Sequence, residues 1–120
     1  MTIRVLIADD QMLIRQGIRG LLELDDRIQV VGEAEDGDDA LKKISTLKPE
    51  ILLLDVRMPR KTGIEVVHAL RAGKNPTPVI LLTTVDDEAM LLEGVRAGIS
   101  GFLLKDVSAA DDLERIRQLF

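Results

Sequence analysis

Short apolar runs alternate with segments whose apolar residues recur every three or four positions, along the whole chain. The runs are Val5 to Ala8, Gln29 to Ala34, Ile51 to Leu54, Val79 to Leu82 and Gly101 to Leu104. Runs this short and this apolar predict strands buried on both faces. The second is more polar at its borders, which predicts a place nearer the sheet edge. Between the runs, Ile14, Ile18, Leu21 and Leu22 mark one helix face, and Ala40, Ile44 and Leu47 a second. Ile64, Val67 and Leu70 mark a third, opened by Thr62 and Glu65 at capping-box spacing and closed by Gly73. Asp36 suits the cap of the second helix, and Pro49 stops it from continuing. A fourth helix from about Asp87 to Gly98 carries an internal Gly94 and few large apolar residues, so it is expected to be the loosest. Ser108 and Asp111 open a fifth, with Leu113, Ile116 and Phe120 on one face.

Five strand–helix units with helical-length connections imply a parallel sheet with right-handed crossovers and helices on both faces. The expected fold is a single α/β (βα)5 domain over residues 1–120, flavodoxin-like, with strand order 2-1-3-4-5. The chain reaches Phe120 within an amphipathic pattern, so a domain boundary within a longer protein is expected there.

Composition narrows the chemistry. The chain has 120 residues, enough for one core, with 46% hydrophobic and 31% charged residues. It has no cysteine and one histidine, His68, which excludes thiolate and multi-histidine metal sites. Tyrosine and tryptophan are absent, leaving little to stack on a base or a flavin. A net charge of −5 is not the footprint of a nucleic-acid binder, so any DNA contact is expected from another domain. No apolar run is long enough to span a bilayer, and no amino-terminal signal pattern is present.

The chemistry gathers where the runs end. The first closes on Asp9 and Asp10, the third on Asp55, the fourth on Thr83 and Thr84, and the fifth on Lys105. In a parallel sheet of this order those ends share one edge, so the side chains are expected to converge. Clustered carboxylates raise one another's pKa unless a cation intervenes. An all-oxygen ligand set with room for water suits Mg²⁺ or Mn²⁺. With a lysine and a hydroxyl beside it, such a site is equipped for phosphoryl transfer. Asp55 is central and is the best candidate for a carboxylate nucleophile, with Asp9 and Asp10 left for metal duty.

These pieces, Ala8-Asp9-Asp10, Leu54-Asp55-Val56-Arg57-Met58-Pro59, Leu82-Thr83-Thr84 and Gly101-Phe102-Leu103-Leu104-Lys105, stand in order along the whole chain. In them the chain resembles the receiver domain of bacterial two-component response regulators. The resemblance implies that Asp55 accepts a phosphoryl group from a phosphohistidine on a sensor histidine kinase. It implies Mg²⁺ held by Asp10, Asp55 and the Arg57 backbone carbonyl, with Asp9 acting through water. Thr83 and Lys105 would bind the phosphoryl group, and Phe102 matches an aromatic switch position that follows the threonine. Asp106 stands where many receivers carry proline, so no cis peptide is carried over to Lys105–Asp106. The ending resembles the NarL/LuxR subclass, which implies a carboxyl-terminal helix-turn-helix output domain, outside this chain, as the DNA-binding part. A phosphorylation-dependent homodimer and a cytoplasmic location follow from the same resemblance. Arg57 and Thr84 are expected at the pocket rim, where they would obstruct water and slow loss of the phosphate.

Blander readings apply elsewhere. His68 reads as a helix-surface residue, Asp86-Asp87 as a helix start favoured by the dipole, and Arg60-Lys61 as a solvated loop. Rival functions are a phosphatase of the haloacid dehalogenase type, a flavodoxin and a degenerate receiver that only binds partners. The first wants a second acid two residues after the nucleophile, where this chain has Arg57. The second lacks its aromatic residues and phosphate loop, and the intact Asp9-Asp10, Asp55, Thr83 and Lys105 set argues against the third. On this reading the chain is a phosphoacceptor that promotes its own phosphorylation and dephosphorylation rather than a turnover enzyme.

Overall fold

The computed structural model describes residues 2–105. Five strands, β1 (Ile3–Ala8), β2 (Ile28–Ala34), β3 (Ile51–Asp55), β4 (Val79–Thr83) and β5 (Gly101–Leu104), form one sheet in the order β2-β1-β3-β4-β5. Every pairing is parallel. The polar-bordered second strand lies at an edge, as its composition predicts. Its register with β1 slips after Val5, so that Val5 faces Val30 while Leu6 faces Gly32. Four helices fill the connections: α1 (Met12–Leu22), α2 (Gly37–Leu47), α3 (Gly63–Ala72) and α4 (Glu88–Ala97). The expected fifth helix, from Ser108, lies outside the described residues, as does the Lys105–Asp106 peptide.

Strand alternation sorts the core into two layers. Leu6, Leu52, Leu54, Val79 and Leu81 face α2 and α3, meeting Ala40, Ile44, Ile64, Val67 and Leu70, with Met90 and Leu91 of α4 at the margin. Ile7, Leu53, Ile80, Leu82 and Leu103 face the other way, where Leu22 and Ile18 of α1 pack. Because β3 is covered on both sides, all five of its residues are buried, Asp55 included. That placement holds the central carboxylate at the end of the most enclosed strand.

The helix ends follow local chemistry. The Asp36 carboxylate accepts from the Asp39 N–H at 2.8 Å. Thr62 and Glu65 exchange both bonds of a capping box. Gly73 caps α3 with φ of −82°, and the left-handed residue is the next one, Lys74 at 60°. Asn75 N–H reaches back to the Leu70 carbonyl at 2.8 Å, so the reversal falls one position later than a glycine cap would place it. Arg60-Lys61 is not merely solvated: Arg60 Nε lies 3.4 Å from Asp36 and Lys61 Nζ 3.8 Å from Asp38, tying the β3–α3 loop to the start of α2. His68 is exposed on α3, 3.6 Å from Glu93 of α4.

Candidate functional site

The carboxyl edge of the sheet gathers the residues that end the apolar runs. Asp9 follows β1 and is fully buried; its backbone N–H is held by the Ala34 carbonyl of β2 at 3.0 Å. Asp55 ends β3 and Thr83 ends β4, 3% and 1% exposed. Lys105 follows β5, positioned by its N–H donating to the Thr83 carbonyl at 2.8 Å. Asp10 stands beside Asp9 and is exposed. One carboxylate oxygen from each of Asp9, Asp10 and Asp55 lies within 4.8 Å of the others.

Lys105 closes the cluster. Its ammonium lies 2.9 Å from Asp55 Oδ2, 3.0 Å from Asp9 Oδ2 and 3.2 Å from Gln11 Oε1. Asp9 Oδ1 accepts from the Gln11 N–H at 2.8 Å, and Asp55 Oδ1 from the Arg57 N–H at 3.2 Å. The chain must turn sharply after Asp55 to start α3. Gly63 allows it, because a Cβ there would sit 2.3 Å from the Asp55 carbonyl oxygen.

The electrostatics follow from three acids, two of them buried, beside one amine. Burial pushes the Asp55 carboxyl up to about 7; the Asp9 charge adds to the rise, while Lys105 and the Arg57 N–H oppose it. Burial works against the Lys105 ammonium, but Asp55 and Asp9 outweigh it and raise its pKa. Among the described residues, two buried side-chain atoms remain without a well-directed hydrogen bond: Asp9 Oδ2, despite its nearness to Lys105, and the Thr83 hydroxyl. Excess carboxylate charge and an under-bonded acidic oxygen are what a hard cation relieves, so the donor set fits Mg²⁺ or Mn²⁺.

Two side chains beside the site were not singled out by sequence pattern. Gln11 reaches Lys105, and its only signal is adjacency to the acidic pair. Asp87 reads as one of two helix-start acids, yet it is 3% exposed. Its carboxylate accepts from the Thr84 N–H at 3.1 Å, the Thr84 hydroxyl at 3.2 Å and the Arg57 guanidinium. Burial raises the Asp87 carboxyl, but these donors prevail and hold it below the usual range. Arg57 and Thr84, both expected at the rim, are thus joined through Asp87 rather than standing separately. Phe102 is 38% exposed on β5.

The fold and the acidic edge together define a flavodoxin-like α/β protein with an acidic cluster and one lysine at the carboxyl ends of its strands. The chain belongs to the response regulator receiver domain family, whose model matches residues 5–117. It is 41% identical over 115 residues to the uncharacterized transcriptional regulatory protein YxjL of Bacillus subtilis (strain 168), covering 96% of this chain and 53% of that one. It is 39% identical over 106 residues to the transcriptional regulatory protein YdfI of the same strain, covering 88% and 49%. The chain thus spans about half the length of the curated relatives it matches. Among solved structures it resembles the signal receiver domain of the putative response regulator NarL from Mycobacterium tuberculosis. The TM-score is 0.90 at 37% identity, covering 98% of this chain and 94% of that one.

Proposed function

We propose that this receiver domain takes a phosphoryl group onto Asp55 from a phosphohistidine of a sensor histidine kinase. The observation that carries the reading is the convergence of Asp9, Asp10 and Asp55 oxygens within 4.8 Å, with Lys105 Nζ 2.9 Å from Asp55. An Asp55 oxygen attacks the phosphorus, the P–N bond breaks, and its electron pair leaves with the imidazole nitrogen. Lys105 stabilises the added negative charge, and the Thr83 hydroxyl, which has no other partner among the described residues, donates to a phosphoryl oxygen. Asp10, Asp55 and the Arg57 carbonyl would hold Mg²⁺ (or Mn²⁺), with Asp9 through water. When bound, the ion supplies charge neutralisation for the phosphoryl oxygens and keeps Asp55 ionised at neutral pH.

The phosphoryl group then biases a two-state equilibrium: Thr83 shifts towards it, Phe102 turns inward, and the face that includes α4 and β5 changes its self-association. The domain promotes its own dephosphorylation, and Arg57 and Thr84 slow that loss from the rim. By analogy with its relatives it controls transcription through a carboxyl-terminal DNA-binding domain in the cytoplasm. Among the described residues no helix is long and apolar enough to cross a membrane. Incubation with acetyl phosphate and Mg²⁺, read by intact mass, tests the chemistry. One phosphoryl group is expected on the wild type and none on Asp55→Asn; equal gains in both would exclude Asp55.

A further inference from the structure

Two loops that carry site residues are joined side chain to side chain. Arg57, after β3, reaches Asp87 across 30 positions of sequence. Asp87 also takes both donors of Thr84, the residue that follows Thr83. The burial is one-sided: the Asp87 side chain is 2% exposed and that of Arg57 64%. Asp87 is therefore the anchored end of the tie, and Arg57 the end that can let go. The same arrangement leaves the Thr83 hydroxyl buried with no partner among the described residues. A buried hydroxyl without a partner is costly, so something must hold the chain where Thr83 cannot reach one. The chain immediately after Thr83 is held at both Thr84 donors.

We propose that Asp87 is a positioning residue for the phosphotransfer site. It fastens the β4–α4 loop to the β3–α3 loop in the arrangement that leaves the Thr83 hydroxyl unpaired. This rests on the reading of Asp55 as phosphoacceptor and adds to it a residue that reacts with nothing. A ligand offering oxygens at Asp55 gains the Thr83 bond only by drawing the end of β4, and that movement works against the tie. The pair therefore opposes the phosphorylated conformation, and it does so as one unit. Removing either end releases the same restraint.

The test uses Arg57→Gln, Asp87→Asn and the double variant, with beryllofluoride and Mg²⁺ as the phosphoryl mimic, followed by amide chemical shifts. Each single variant is expected to bind beryllofluoride about five-fold more tightly, the size of one partly exposed ion pair, and the double no more than either single. Effects that multiply in the double, or singles that bind as the wild type or more weakly, overturn the proposal. A second readout needs neither metal nor mimic. In the metal-free protein, hydrogen exchange at the Thr84 amide is expected to quicken about five-fold in both singles, while the Glu65 amide in the α3 capping box is unchanged. General destabilisation would quicken both amides and overturn the proposal, as would an unaltered Thr84. If the wild type takes no phosphoryl group from acetyl phosphate, the reading of Asp55 falls, while the Thr84 exchange still decides whether the tie holds the loop.

Discussion

Helices α3 and α4 are both ten residues long and run beside each other on one face of the sheet, yet they are held in different ways. α3 starts at a reciprocal capping box and buries Gly63, Ile64, Val66, Val67 and Leu70. Its last turn is stapled outward by Arg71, whose guanidinium donates to the carbonyls of Asn75, Thr77 and Gly98 at 2.8 to 3.1 Å. α4 is entered through a short 3-10 turn, Val85–Asp87, and buries only Gly94. Leu92 and Val95 lie 56% and 58% exposed. α3 is thus scaffold for Asp55, whose carbonyl it packs against. α4 is attached mainly by partly buried Met90 and Leu91 and by the polar turn at its start. Elements that move are drawn from the weakly held part of a fold. The difference makes α4, not α3, the helix that a change at the site can displace.

The most severe way to break that contrast is to cut one large apolar side chain from each helix. Ile64→Ala removes a side chain that is 3% exposed between β-strand leucines and α4. It should cost about 3 kcal/mol in urea denaturation, through lost burial and the cavity left behind. Leu92→Ala should stay within about 0.5 kcal/mol, because little is buried there to lose. Comparable losses would mean that α4 is anchored as firmly as α3.

Protonation of Asp55 sharpens the contrast by loading the site without changing a contact in the core. The folded pKa of about 7 lies above the ordinary carboxylate value of 3.8. Between those values the folded domain keeps a proton that the unfolded chain has released. In the absence of divalent cation this group therefore favours folding at the acid end of the window, and stability falls as pH rises through about 7. The raised pKa of Lys105 contributes stability that is likewise lost as pH rises, but only above its ordinary value of 10.5, outside this window. Asp55→Asn should be more stable than wild type by about 2 kcal/mol at pH 8, a gain that vanishes towards pH 4. Millimolar Mg²⁺ should flatten the wild-type slope. Amides that lose protection in the wild type at pH 8 should lie in the β4–α4 loop and α4 rather than α3. A variant less stable than wild type at pH 8 would show that ionised Asp55 is fully compensated by Lys105.

Most of this could be read from the chain because each site residue terminates an apolar run. Ile51 to Leu54 must be a central strand, so Asp55 must lie at its end, and the parallel order then brings Asp9, Thr83 and Lys105 to it. The Thr62–Glu65 cap is legible because both partners lie within one turn. Asp87 is not legible. Its neighbour Asp86 is exposed and alike in sequence, and what buries and pairs Asp87 is Arg57, distant in the chain. The 3-10 entry to α4, Val85–Asp87, follows from the same capture of Thr84, whereas pattern alone starts a helix only at about Asp87. Gln11 was missed for a similar reason, since only the folded position of Lys105 gives its amide something to bind.

The smallest effects test the contrast at its one tight point, Gly94. In sequence a glycine inside a helix reads as weakness, about 1 kcal/mol worse than alanine. In the fold it is the place where α4 comes closest to the core: a Cβ would lie 2.6 Å from Leu81 Cδ1 and 3.1 Å from Ile64 Cδ1. Leu81 and Ile64 are 0% and 3% exposed, so neither can swing aside into solvent. Overpacking should outweigh the gain in helix propensity, and Gly94→Ala should destabilise by about 1 kcal/mol. Gly17 in α1 is the control, since a Cβ there meets no atom of the described residues within 4 Å. Gly17→Ala should stabilise by about 0.5 kcal/mol. Opposite signs in urea denaturation would locate the attachment of α4 at this close approach. If Gly94→Ala also stabilises, α4 can lift from Leu81 at almost no cost, and it is looser still than its exposed leucine and valine already make it.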